Sequence, residues 1–272
     1  MANNILDYSE LANKILNTNT EYHSAKSIID KVFKLNISDY KETIKLRLTV
    51  IDSFYSTNMN KRYYGIDDIA SRMIFYYPND ELLVNDLINF IDNSFSNDQL
   101  LDIFNSCYGI SKTGQEKGAA KSLISKYFYF LTKGKFPIYD TIVFETYPLI
   151  IKYFSITGPG SKLTKNISEF INNMAYLNRI SGINDFNKLD NLLWLIGKLL
   201  RGNLSLIINR EIYKSLFADL NENSDNFSLK VKKRLFDESE SIKPLIPDEL
   251  YKIILFVKET NMASQIKLTE LS

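Results

Sequence analysis

The chain has 272 residues, 45% of them hydrophobic, with 33 lysines and arginines against 32 aspartates and glutamates, one cysteine and one histidine. A formal net charge of +1 excludes a bulk electrostatic pull toward nucleic acid or membranes, so any such attraction has to be local. A single cysteine excludes an internal disulfide framework, a multi-cysteine zinc site and an iron–sulfur cluster, and it fits a reducing cytoplasm.

The opening MANNILDYSEL lacks a basic and then apolar leader pattern. Apolar runs such as YPLIIKYF stop well short of the roughly 20 residues that cross a bilayer, so a cytoplasmic protein without membrane contact is predicted. Apolar residues recur every three to four positions, and only ten glycines and six prolines interrupt them, which predicts an all-α fold. In chain order, helices are predicted over 9–17, 24–35, 40–56 and 66–76. From Pro78, PNDELLVNDLINFIDNSF puts acids in its first turn and Leu82, Leu83, Leu87, Ile88 and Ile91 on one face. SNDQLLDIFNSCYG offers Ser96 as N-cap, Gln99 as its capping-box partner and Gly109 as a stop, with Cys107 read as a small core residue. Helices follow over 119–132, 141–155, 164–180, 187–201 and 209–220. A last one opens in IPDELYKIILFVKET with Pro247 at its first position. The breaks TGPGSK (157–162) and NENSDN (221–226) are too short for interdomain linkers, so one α-helical unit over 1–272, compact or bilobed, is predicted.

Familiar catalytic constellations are largely excluded. His23 stands near a predicted helix start and Cys107 among apolar neighbours, so neither a Cys–His site nor a histidine-rich metal site can be assembled. Neither type of phosphate-cradling glycine loop occurs. No metal or cofactor is expected. Carboxylate, lysine and tyrosine remain, and they gather between Lys112 and Lys135, where six lysines face Glu116 alone, a local charge of six less one, or +5. Such a patch suits phosphate contacts. Within it, KGAAKSLISKYFYFLTKGKFPIYD reads as a turn, a helix whose small first residues leave its amides open to an anion, and a proline corner delivering Asp140. The plain alternative is a solvated lysine face with Asp140 serving only as the N-cap of the helix it precedes. A second basic run, SLKVKKRLF with Lys230, Lys232, Lys233 and Arg234, is followed by acids at 237, 238 and 240 and reads as a solvated helix face.

GAAKSLISKYFYFLTKGKFPIYDTIV resembles the helix-hairpin-helix base-excision DNA glycosylases, the superfamily of endonuclease III and the 8-oxoguanine glycosylases. There a hairpin precedes a helix that begins with a lysine, and an apolar corner then leads to an aspartate followed by Thr-His-Val. Lys121, Asp140 and DTIV take those places. Upstream, LTVIDSFYSTNMNKRYYGIDDIASRM is similar to the segment that fills the gap left by a flipped base. YGISKTGQEKG stands where the family has a Leu-Pro-Gly-Val-Gly hairpin, and Ile142 stands in place of its histidine. The resemblance implies an all-α glycosylase-like core over about 46–200 and double-stranded DNA as partner, with base flipping. It implies Asp140 and Lys121 as catalytic residues, Lys126 being the alternative lysine. DNA contacts would come from Lys112, Lys117, Lys126, Thr57, Asn58 and Asn60, and base stacking from Tyr139 and Trp194. The competing expectation is a non-enzymatic DNA-recognition or protein-interaction module, one subunit of a bacterial defence complex with a protein partner.

Overall fold

A computed structural model describes residues 4–260 apart from 36, 38, 95, 159, 161 and 219–226. The side chains of Asn60 and Lys232, the 221–226 break, and Pro159 and Ser161 of the other break lie outside the described residues. The fold is all-α, in the order α1 (Ile5–Thr18), α2 (Thr20–Phe33), α3 (Tyr40–Tyr55), α4 (Gly65–Tyr76), α5 (Asp80–Asn89), α6 (Asp98–Asn105), α7 (Lys121–Leu131), α8 (Thr141–Tyr153), α9 (Ile167–Ile180), α10 (Phe186–Leu200), α11 (Arg210–Leu216), α12 (Phe227–Phe236) and α13 (Asp248–Glu259). Among the described residues extended pairing is confined to two isolated bridges, Tyr63 with Ile110 and Ile110 with Glu116.

Local chemistry sets the boundaries. The Asn79 side chain accepts from the Leu82 amide at 3.0 Å, and the Asn97 side chain from the Leu100 amide at 3.0 Å, each satisfying a first-turn donor. Asn97, with extended φ and ψ, therefore caps α6 where Ser96 was expected. Because α6 ends at Asn105, Cys107 falls beyond it and is exposed, not buried in the core as expected. His23 lies within α2 and is exposed.

The chain divides into two compact units. Unit one, from Met1–Asn19, Thr141–Lys162 and Lys188–Ser272, holds α1, α8, α10 from Lys188 onward, and α11 to α13. Its α1 buries Tyr8, Ala12 and Leu16. Tyr8 and Tyr153 share a hydroxyl hydrogen bond of 2.7 Å, and the Asn191 amide donates to Asn13 at 2.6 Å. Gly197 lets α10 and α8 meet closely, since a β-carbon there would lie 2.3 Å from Ile142 Cγ2.

Unit two, from Thr20–Asp140 and Leu163–Asn187, holds α2 to α7 and α9. Its centre is α7, flanked by α2, α3, α5 and α6. Leu123 to Phe130 are all buried, Ser125 and Lys126 among them. Beside it the buried Arg47 guanidinium donates to both oxygens of Asp80, at 3.0 and 2.7 Å, and to the Phe33 carbonyl at 3.0 Å. This pairing ties α3 to α5 and α2.

Candidate active site

The stretch from Lys117 to Asp140 lies in unit two. After α7, Lys133 and Gly134 take left-handed φ values of 55° and 83°, and the Gly134 amide donates to the Tyr129 carbonyl at 2.8 Å, a helix-ending device that reverses the chain. Phe136, Pro137 and Ile138 then bury the returning strand of backbone. The Tyr139 N–H donates to Ser125 Oγ at 2.9 Å, which ties the register of this backbone to α7. Ser125 in turn donates to the Ser122 carbonyl at 3.0 Å.

That register puts Asp140 on Lys126. The Lys126 ammonium, on a residue 2% exposed, donates to Asp140 Oδ2 at 2.7 Å and to Ser122 Oγ at 2.7 Å. The Tyr55 ring lies 5.4 Å from the same nitrogen, so the charge is held by a carboxylate, a hydroxyl and an aromatic face. The Asp140 side chain keeps 25% of its surface open to solvent. Lys121, the lysine the resemblance favours, turns elsewhere. Its ammonium donates to the Lys165 carbonyl at 2.7 Å and lies 5.9 Å from the Tyr139 ring centre. Burial lowers its pKa from the ordinary lysine value, since desolvation disfavours the charged form.

The other expected residues are spread over several surroundings. Lys126 cannot serve as a surface phosphate contact, because its head group is enclosed. Lys112 is exposed and Lys117 half-buried, both in the segment between α6 and α7. Thr57 donates to Asp52 Oδ1 at 2.5 Å, and Asn58 is exposed with a left-handed φ of 63°. Tyr139 is half-buried with its ring 4.9 Å from that of Phe170, and burial raises its hydroxyl pKa. Trp194 belongs to unit one, half-buried with the Lys198 ammonium 5.3 Å from its ring centre. In the second basic run Arg234 donates to the Leu216 carbonyl, and Lys233 and Arg234 approach Glu238 at 3.6 and 3.5 Å.

Unit two also contains a cleft of about 760 Å³ that the sequence did not disclose, lined among others by Lys26, Phe33, Val84, Tyr129 and Asn187. There the Lys26 ammonium donates to Tyr129 Oη at 2.8 Å and to the Asn187 amide oxygen, which also accepts from Tyr129 at 2.6 Å. Separations of 103 and 161 residues leave no local pattern by which to find it. Tyr55, the aromatic face over Lys126, is hidden for the same reason.

Among the described residues no group of three histidines, cysteines or acids could hold a metal ion, and no helix is long and apolar enough to cross a membrane. No family model, curated protein or solved structure matches this chain.

Proposed function

We propose that the chain binds double-stranded DNA and hydrolyses the N-glycosidic bond of a damaged or modified nucleotide turned out of the stack. The observation that carries this reading is Asp140, a carboxylate on a rigid corner, gripped on one side by the Lys126 ammonium and still open to solvent. As the glycosidic bond breaks, positive charge develops on the sugar, and a preorganised anion beside it stabilises that charge without reorganising. In this reading Lys126 aims the carboxylate. Burial lowers the pKa of Lys121, and its neutral amine attacking C1′ would form a C–N bond as the bond to the base breaks; opening of the sugar ring, with a proton passing from the nitrogen to the ring oxygen, would then leave a covalent imine.

A second reading draws on a separate fact: both ammonium groups already have partners within the chain. This favours a non-enzymatic helical module for DNA recognition or protein interaction, in which the Lys126–Asp140 pair only braces the corner.

Incubation with a panel of duplexes carrying damaged and modified bases separates the two. The glycosylase reading expects free base from at least one duplex, loss of release in Asp140→Asn, and DNA affinity retained within about twofold in that variant. Borohydride is then expected to trap a DNA adduct that Lys121→Gln abolishes. Binding without any release supports the module. Lys112→Glu with Lys117→Glu is expected to weaken duplex binding and flatten its salt dependence by roughly one unit of slope per lysine. Unchanged affinity and slope would remove nucleic acid from both readings.

A further inference from the structure

We propose that the corner where the 59–65 loop meets the 109–117 hairpin is a stacking platform for unpaired bases of a single-stranded nucleic acid. This rests on the nucleic-acid-binding part of the function proposed above and not on its chemistry.

The corner is built from backbone. Tyr63 and Ile110 exchange N–H to carbonyl bonds of 2.9 and 3.0 Å, and the hairpin closes through Ser111 N–H to the Gln115 carbonyl at 2.8 Å and Lys117 N–H to the Gly109 carbonyl at 2.9 Å. Gly109, with φ +73°, admits no side chain, because a β-carbon would lie 2.7 Å from the Tyr63 carbonyl oxygen. The Arg62 guanidinium pins the loop to the Tyr108 and Gly118 carbonyls at 3.3 and 2.5 Å.

On this rigid base stand two tyrosines, Tyr63 at 54% exposure and Tyr64 at 71%. Among the described residues neither makes a side-chain hydrogen bond or a ring contact. Tyr64 also holds φ at +65° at the start of α4, with no side-chain cap. A left-handed conformation strains a bulky residue, a cost that glycine avoids and asparagine softens. A tyrosine left mostly open to solvent returns little of that cost to the fold. Its presence is explained by something outside the chain.

The surrounding charge indicates what that is. Lys61 and Lys112 are exposed, Lys117 is half-buried, and none of the three forms an ion pair among the described residues. With Arg62 they make four cations against three acids, Glu116, Asp68 and Asp52; the Asp68 carboxylate accepts the Gly109 amide at 2.9 Å and the Asp52 carboxylate the Met59 amide at 3.0 Å. Lysines are depleted at the centres of protein interfaces. An aromatic surface among unpaired cations matches a phosphate backbone whose bases stack on the rings. A paired duplex presents those faces only where the stack is broken.

The test uses the full chain, a labelled oligothymidylate and a duplex of the same length at fixed salt. Tyr64→Asn keeps the turn while removing the ring, and is expected to weaken oligothymidylate binding about tenfold without lowering the thermal midpoint; Tyr64→Phe is expected to bind within about twofold of the parent. Photo-cross-linking with 5-iodouracil in the strand is expected to yield adducts at Tyr63 or Tyr64. Oligothymidylate binding unchanged in Tyr64→Asn, or adducts only elsewhere, overturns the platform and leaves the proposed function standing. Binding to neither strand form overturns both.

Discussion

Asp140 and Lys126 form one ion pair but are not equivalent partners, because the ammonium is enclosed and the carboxylate is partly open. Removing the acid strands a buried cation, whereas removing the lysine leaves an anion that water can reach. Asp140→Ala is therefore expected to destabilise the chain by about 2 to 3 kcal/mol and Lys126→Met by about 1 kcal/mol, as measured by urea denaturation. Equal costs would show that the two side chains share one environment. The sequence brought Asp140 to notice through its proline corner and offered two lysines beside it, of which Lys126 is the one paired with the carboxylate. Spacing along the chain matched Lys121 to the family pattern, whereas the observed neighbour depends on how the returning backbone registers against α7, to which the bond from Tyr139 to Ser125 contributes. Lys126 follows Ser122 by one helical turn and so shares its face, a relation the sequence contains but does not rank.

Between elements, the hairpin joining α6 and α7 matters most. The starts of α5 and α6 carry acidic first turns and asparagine caps, whereas α7 opens after Ala120 with neither device. The cross-bridges of Tyr63, Ile110 and Glu116 were not legible, since each is a single residue pair without strand periodicity. Gly109 is the test of that joint. Gly109→Ala would force a β-carbon against the Tyr63 carbonyl at a left-handed φ, and is expected to cost about 1 to 3 kcal/mol. Amide hydrogen exchange should then accelerate at Tyr63 and Ile110 while α7 stays protected. Uniform exchange throughout would mean that the hairpin has no local role.

At the level of the whole molecule, the chain divides into two compact units. One crossing follows the TGPGSK break, which is too short to read as a linker, another falls inside α10, and those after Asn19 and Asp140 carry no glycine-rich signature. The wealth of aromatic residues has a measurable result. Burial raises the hydroxyl pKa of Tyr8, Tyr40, Tyr77, Tyr108 and Tyr127 above the ordinary value of 10.0. For a group raised in the folded state, the stabilising contribution is intact below the unfolded pKa and is lost as pH climbs beyond it. Stability is thus expected to decline above about pH 10. Absorbance at the phenolate band should show a late fraction of tyrosines ionising together with loss of helical circular dichroism. A single smooth titration with the helices intact would contradict the burial of these rings.

Neither unit is one continuous stretch of polypeptide: the backbone passes from one to the other after Asn19, Asp140, Lys162 and Asn187. During synthesis this imposes an order. A nascent chain halted on the ribosome after Asp140 lacks α9 and should remain open to protease, and protection of α7 should arrive only once Asn187 has cleared the exit tunnel. The α1 helix must wait for partners such as Tyr153 and Asn191, which are made well over a hundred residues later.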